Sequence, residues 1–110
     1  MPFLESEFNP ITGQLVIKEG STEVTTGQFE RNQEIKSVIF PDTLLGIGDQ
    51  GFAYTSNLEN INFGESLVSL GKESFFAPFS LKSLTIPDSV EIIGDYAFQY
   101  GRSLGRRSFV

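Results

Sequence analysis

The 110-residue chain contains no cysteine, no histidine and no tryptophan. Without cysteine it can form neither a disulfide framework nor a thiolate nucleophile. Without cysteine and histidine it also lacks the usual ligands of zinc and most pairs of a nucleophile with a base. The composition therefore predicts a protein that is not an enzyme and that carries no cofactor.

Positive charge and long apolar runs are also scarce. Eight basic residues stand against 14 acidic ones, a formal net charge of −6 at pH 7. Phosphate backbones attract basic proteins, so this charge argues against a nucleic-acid partner. No stretch approaches the ~20 apolar residues of a membrane span, and residues 1–10 do not resemble a signal peptide. These absences predict a cytoplasmic protein for the chain as given, or else a fragment of a longer protein.

What the chain does contain is an internal repeat of 23 residues. Four phenylalanines recur at this spacing: Phe29, Phe52, Phe75 and Phe98. In this register the chain divides into a cap, a degenerate copy, three clear copies and a truncated copy: 1–11, 12–34, 35–57, 58–80, 81–103 and 104–110. A period of this length is typical of leucine-rich repeats, in which each copy buries its apolar face only by stacking on its neighbours.

The columns of the repeat predict how each copy folds. An apolar residue opens each copy, and apolar residues at the fourth and sixth positions indicate a strand that turns those positions inward and the third and fifth outward. A glycine recurs in mid-copy at Gly48, Gly71 and Gly94, which we interpret as a conformation that a Cβ resists, although Thr25 replaces it in the degenerate copy. We predict a repeat solenoid of short parallel strands, ~4.8 Å apart, joined by irregular or 3-10 return segments.

The segment from Leu81 to Phe98, LKSLTIPDSVEIIGDYAF, resembles the repeat of BspA-like leucine-rich proteins, L-x-x-I-x-I-P-x-x-V-x-x-I-G-x-x-A-F. The resemblance is close over 35–103 and loose over 12–34. It implies a leucine-rich repeat fold and a surface or secreted protein that acts in adhesion and protein binding. The chain departs from the family in its short length, in its lack of a secretion signal, and at Gly101, where many family repeats carry a cysteine.

Two patterns suggest chemistry but do not support it. Lys82 and Ser83 are adjacent, as are Lys36 and Ser37, and neighbours on a strand point to opposite faces. The stretch from Gly46 to Gly51 fits the G-x-G-x-x-G fingerprint of dinucleotide sites, a motif that requires a strand–helix unit around it. The equivalent stretches of the next two copies keep only the middle glycine, so the match is an accident of the repeat register. We therefore predict no catalytic residues and no bound nucleotide.

An acidic residue follows the strand in each of four copies. These residues form a ladder: Glu19, Asp42, Glu65 and Asp88. In one interpretation the carboxylates accept hydrogen bonds from nearby backbone N–H groups of a turn. In the other, adjacent rungs form a low-affinity Ca²⁺ site. The sequence leaves both interpretations open.

The outward positions of the strands form a candidate partner-binding face. They are polar apart from one apolar spot: Gln14, Val16, Ser37, Ile39, Asn60, Asn62, Ser83 and Thr85. Five rungs of six-residue strands give a face of ~400 Å², about half of what a stable interface buries on each partner. We therefore expect weak or multivalent binding here, or an ordinary solvated face without a ligand.

Aromatic residues beyond the repeated columns form a second candidate surface. The candidate aromatic patch is Tyr54, Phe76, Phe79 and Tyr100, and Tyr96 is a further aromatic residue of the return segments. These rings either fill the space between the core ladders or form an exposed apolar patch for a partner.

The two ends of the predicted solenoid differ. At the front, Phe8 and Ile11, with Phe3 and Leu4, could fold over the degenerate copy. At the back, the truncated copy predicts an open edge that self-associates into a homo-oligomer through Leu104, Phe109 and Val110. The leading hypothesis is a protein-interaction module that is adhesin-like by resemblance. The alternative is a structural element that assembles through this end or belongs to a longer repeat protein.

Overall fold

The computed structural model describes residues 6–101, and within that range the chain consists of short strands and turns without a helix. Eight strands form two four-stranded sheets. In chain order they are β1 (Ser6–Asn9), β2 (Gln14–Ile17), β3 (Glu23–Val24), β4 (Ser37–Ile39), β5 (Gly46–Ile47), β6 (Asn60–Asn62), β7 (Ser69–Leu70) and β8 (Ile92–Ile93). All but β1 stack in parallel as rungs of a solenoid of about three turns, which confirms the predicted fold class.

The first sheet has the order β1-β2-β4-β6. Its parallel strands pair Leu15 with Val38 and Val38 with Ile61, residues 23 positions apart, so the predicted register is confirmed. Side chains alternate along these strands: Leu15 and Val38 are buried, whereas Gln14 and Ile39 point outward. This alternation is the one expected of a strand with one face on the core.

The copy of this strand at 83–85 does not form a strand, contrary to the sequence prediction. A backbone hydrogen bond of 3.1 Å from Lys82 N to Glu59 O joins the start of the copy to the preceding rung. Beyond that point the two segments separate, and Leu84 is only partly buried. The repeat places the next rung at 104–110, outside the described residues, so no described strand flanks this copy on its far side.

A second sheet, which the sequence analysis missed, forms in the half of each copy that follows the first strand. It has the order β3-β5-β7-β8 and pairs Val24 with Ile47, Ile47 with Leu70, and Leu70 with Ile93 in the register of the repeat. These four apolar residues contact the same core as the first sheet. Because the two sheets share one core, each turns an outer face to solvent.

The remainder of each copy is a series of turns centred on the repeated phenylalanine. Phe52 N donates to Ser74 O at 2.7 Å, so this third side of the rung is also hydrogen-bonded to the next rung. Two positions before and after the ring, Gln50 and Tyr54 have φ of 59° and 60°. These left-handed conformations bend the chain on both sides of the ring and direct it into the core.

The repeated phenylalanines form a continuous ladder through the core. Ring centroids are 4.9 Å apart for Phe29 and Phe52, 5.2 Å for Phe52 and Phe75, and 5.4 Å for Phe75 and Phe98. Phe63 from the first sheet meets Phe75 edge-on at 5.8 Å. The stacking distances are close to the ~4.8 Å between rungs, and the predicted ladder is confirmed.

The glycine column serves close packing between rungs, not an unusual backbone conformation. None of its members has a positive φ. A Cβ at Gly71 would lie 2.6 Å from Asp49 N, and one at Gly94 would lie 2.5 Å from Lys72 N, both on the preceding rung. The first rung has no parallel rung before it within residues 6–101, so Thr25 fits there.

A hairpin covers the N-terminal edge of the first sheet. β1 runs antiparallel to β2 and pairs Phe8 with Leu15, and Gly13, in the connecting turn, has a φ of 77°. Ile11 lies in this turn and is 90% exposed, so the expectation that it packs over the degenerate copy is wrong. It fails because the tight turn carries the side chain away from the core. Phe3 and Leu4 lie outside the described residues.

Candidate interaction surfaces

The first sheet brings together six of the eight residues predicted for the partner-binding face. Strand pairing aligns them in two rows, Gln14 with Ser37 and Asn60, and Val16 with Ile39 and Asn62. Ser83 and Thr85 follow in sequence and are exposed, but they are not paired into the sheet. The face is therefore a short polar surface with one apolar spot.

A gap separates the third and fourth rungs of this face. It has a volume of about 300 Å³, and its lining residues are Ile61, Asn62, Phe63, Gly64, Thr85 and Pro87. Gly64 has a φ of 76°, and its N–H donates to the side chain of Asn62 at 3.1 Å, which fixes that amide at the mouth of the gap. The gap supplies an apolar floor with one fixed polar group beside it.

The paired part of the face is smaller than the sequence suggested. The strands have three or four residues instead of six. At ~3.3 Å per residue and ~4.8 Å between rungs, the paired face of these three strands covers ~100 Å². This area is well below the ~800 Å² that each partner of a stable complex buries. On its own, the face suits a weak contact.

Three of the four residues in the predicted aromatic patch contact one another. Phe76 meets Tyr54 and Tyr100 edge-on, with ring centroids 5.4 Å apart in each pair. The Arg31 guanidinium lies over the Tyr54 ring, 4.5 Å from its centroid. Phe79 is half-buried, as are Tyr54 and Phe76, whereas Tyr100 is exposed. The rings therefore pack against each other along the surface of the return segments and leave one edge open to solvent.

The four carboxylates of the acidic ladder are exposed. None of them accepts a hydrogen bond from a backbone N–H of residues 6–101, so the turn interpretation is wrong in that detail. Across the same residues, no three acidic side chains lie close enough together to hold a metal ion. The geometry therefore gives the calcium interpretation no support, and the carboxylates extend into solvent.

The G-x-G-x-x-G stretch lies in the second sheet. Gly46 and Ile47 form β5, and turns follow in place of a helix. Without a helix N-terminus there is no row of N–H groups to bind a pyrophosphate. The motif does not form a nucleotide site.

The second sheet presents a surface that sequence analysis did not single out. A groove of about 490 Å³ crosses its outer face, and its lining residues are Thr22, Glu23, Val24, Leu45, Gly46, Ile47, Gly48, Val68 and Ser69. Two-residue strands are too short to show a period-2 pattern, so alternation could not reveal this sheet. The signal that could have found it is the apolar pair Leu45 and Val68, which lie one repeat apart and two positions before the core column of Ile47 and Leu70.

Comparison with models of protein families identifies the family of this chain. The model of the BspA type leucine-rich repeat region, which comprises six copies, matches residues 11–109. This chain belongs to the BspA-type leucine-rich repeat family. None of the curated proteins matches it. The resemblance noted in the sequence is thereby confirmed.

Solved structures similar to this BspA-type chain are leucine-rich repeat proteins of bacteria. A leucine-rich cell surface protein from Faecalibacterium prausnitzii A2-165 has a TM-score of 0.75 and 29% identity, and the match covers 84% of this chain and 24% of that one. A leucine-rich repeat protein from Bacteroides capillosus ATCC 29799 has a TM-score of 0.72 at 23% identity, with 96% of both chains covered. The Treponema pallidum leucine-rich repeat protein has a TM-score of 0.54 at 21% identity, with 87% and 64% covered. The last two show the fold alone.

Membership of the BspA-type family indicates a general class of function for this chain. Leucine-rich repeat proteins typically bind proteins, and the repeat family is generally non-enzymatic. The F. prausnitzii relative is a cell surface protein, and this chain spans about a quarter of its length. Within residues 6–101, no helix is long and apolar enough to cross a membrane.

Proposed function

We propose that this BspA-type chain is a non-enzymatic, adhesin-like module that binds a protein partner at the cell surface through the outer face of its first sheet. The observation that carries the proposal is the pairing of Gln14 with Ser37 and of Val16 with Ile39, which aligns the outward side chains into rows. Rows of side chains on rigid strands hold their positions better than groups on loops do. The cell surface protein among the similar structures supports the location.

The first-sheet face has an apolar anchor and a polar part. Val16 and Ile39 lie side by side, and Ile39 is 36% exposed, so a partner's apolar side chain could bury both. Asn60 and Asn62 on the next strand offer amide groups that both donate and accept hydrogen bonds. With only ~100 Å² of paired face, affinity comes from several copies or several modules that bind together.

The test is surface plasmon resonance against a panel of purified cell-surface and extracellular-matrix proteins, with the chain immobilised at high density. We expect at least one partner with a dissociation constant in the micromolar range. Ile39→Arg and Asn62→Arg should each weaken this binding at least about tenfold, because an exposed, extended cation replaces the apolar anchor or the amide of the face.

The control is Glu34→Arg, which introduces the same cationic side chain, with a larger change in net charge, at an exposed residue outside the sheet. It should leave binding unchanged. If no protein in the panel binds, or if the control weakens binding as much as Ile39→Arg does, the first-sheet face is not the binding surface.

A second candidate function is self-assembly through the C-terminal end, through Leu104, Phe109 and Val110. The supporting observation lies on the last described rung, where Ile92 is 60% exposed at the edge strand β8, and Tyr96 and Tyr100 are each more than half exposed. An apolar edge strand favours pairing with another chain. This function would make the solenoid a structural element whose partner is a copy of itself.

A further inference from the structure

The groove on the second sheet is lined by two aliphatic side chains, of which one is exposed and one is half-buried. Leu45 and Val68 occupy the same position of successive copies and line the groove. Gly46 lies beside Leu45 and carries no side chain, so the surface is indented where Ile92 stands two copies later. The groove therefore exists because this column of the repeat has small residues in its middle rungs and the bulky Ile92 in its last described rung.

Apolar exposure distinguishes this face from that of the first sheet. Leu45 is 49% exposed and Ile92 is 60% exposed. Burying exposed aliphatic side chains against a partner stabilises a complex because it removes apolar surface from water. The second-sheet face therefore offers more apolar surface to a partner than Val16 and Ile39 do on the first sheet.

The surroundings of the groove are acidic. Glu23 lines it, and Glu91 follows Leu45 and Val68 in the same column of the repeat. The acidic ladder defined above runs along the segments that connect the first sheet to the second. No basic side chain lines the groove, and no described basic group lies within salt-bridge distance of these carboxylates. Their negative charge is therefore not neutralised by residues 6–101.

We propose that this groove binds a short extended segment of a partner protein, in which aliphatic side chains are flanked by lysine or arginine. The aliphatic side chains would lie against Leu45 and Val68, and the flanking cations would face Glu23 and Glu91. Complementary charge of this kind raises the rate of association and selects the partner. The three lining rungs span ~10 Å, the length of about three extended residues.

The inference concerns a different surface from the one in the proposed function, and the two can fail separately. Nucleic acid is unsuited to the groove because its phosphates would meet the same carboxylates. A second copy of this chain is the other possible occupant, and the experiment distinguishes it from a foreign segment.

The experiment uses NMR spectra of the isotope-labelled chain titrated with synthetic peptides of equal length. The first peptide has central leucines flanked by lysines, the second has glutamates in place of the lysines, and the third has serines in place of the leucines. We expect the first peptide to shift the amide signals of β3, β5 and β7, and those of β4 and β6 to stay in place. The other two peptides should bind at least about tenfold more weakly, because the second lacks the cations and the third lacks the aliphatic side chains of the first.

Three variants test the residues directly. Leu45→Ser removes an exposed apolar wall, and Gly46→Ile fills the groove with the side chain that the same column carries at Ile92. A Cβ at Gly46 would meet the rotatable Ser69 Oγ at 3.1 Å, so the chain should tolerate this change. Each should weaken binding at least about tenfold, and Glu23→Lys should weaken it by a smaller factor that disappears at high salt.

Ile11→Ser, at an exposed residue of the hairpin turn, is the matched control and should bind the leucine–lysine peptide as the parent chain does. The proposal is overturned if the serine peptide binds as well as the leucine peptide, or if the shifted signals lie outside β3, β5 and β7. It is also overturned if these signals shift with protein concentration in the absence of peptide, because the occupant is then a second copy of this chain.

Discussion

At Gly48, Gly71 and Gly94 each rung lies so close to the preceding one that the backbone occupies the place of a Cβ. The distances that a Cβ would make, 2.6 Å to Asp49 N at Gly71 and 2.5 Å to Lys72 N at Gly94, are shorter than van der Waals contact allows. The relevant property of glycine here is therefore its size. This explains why the degenerate first copy can carry Thr25 in the same column.

We expect Gly71→Ala to lower the free energy of unfolding by about 1–3 kcal/mol, because the added methyl group must displace backbone atoms that cannot rotate away. Urea denaturation followed by circular dichroism measures the change. Thr25→Gly is the matched control in the same column. It should give no stabilisation, since it removes the hydrogen bond from Thr25 Oγ1 to Gln28 Oε1 and glycine adds backbone entropy to the unfolded chain. If Gly71→Ala unfolds like the parent, close rung packing is not the reason for the column.

At the scale of the element, the phenylalanine ladder connects the three sides of each rung by packing in the core. Phe75 stacks on Phe52 and Phe98 and meets Phe63 from the first sheet edge-on. It is fully buried, whereas Phe29 at the start of the ladder is only partly buried. The contribution of a ring should therefore depend on its place in the ladder.

We expect Phe75→Ala to lower the free energy of unfolding by about 3–5 kcal/mol, because the cavity forms where packing is tightest. Phe29→Ala should lower it by less, since part of that ring already contacts water. Thermal melting of both variants beside the parent tests the order. Equal losses, or a Phe75 variant that melts like the parent, would contradict the ladder register.

The sequence predicted those elements whose side chains repeat in a recognisable period. The spacing of Phe52 and Phe75 predicted the core ladder, and the alternation around Val38 predicted the first sheet. The second sheet was missed because two residues such as Gly46 and Ile47 are too few to alternate, although Ile47 was recognised as a repeated apolar position. Ser83 and Thr85 were placed on a strand because the repeat pattern continues through this copy, although the described residues form no strand there.

The same limit applies to the candidate surfaces. Sequence pattern identified the outward rows of the first sheet because outward positions follow directly from inward ones. It could not identify the groove, since an exposed Leu45 resembles a core residue when only the sequence is read. It also suggested backbone hydrogen bonds for Asp42 and its counterparts, which depend on side-chain rotamers that a spacing does not determine.

For the whole molecule, the two ends of the solenoid offer different possibilities for assembly. The hairpin strand β1 pairs with β2 and covers the first sheet at the N-terminal end. The last described rung instead presents Ile92 and Tyr96 to solvent. Association between copies should therefore involve the C-terminal end.

We expect light scattering across a concentration series to show a molar mass that rises above the monomer. Phe109→Lys should return it to the monomer value, because a charge at an apolar edge opposes pairing. Ile11→Lys, an equivalent change at an exposed residue of the other end, is the control and should leave the mass unchanged. A mass that stays monomeric at every concentration, or one that Phe109→Lys does not alter, would count against assembly through this end.

The uniform rung spacing also has a consequence for the speed of folding. Backbone bonds between rungs, such as Gly48 N to Val24 O and Phe52 N to Ser74 O, join residues 22 to 24 positions apart, and no described helix supplies shorter contacts. In a chain of this length that separation is a relative contact order of roughly 0.2, the range of proteins that fold in milliseconds to seconds. Each pair of rungs must close a loop of the same length. The formation of the first pair therefore limits the folding rate, and later rungs add to rungs that have already formed.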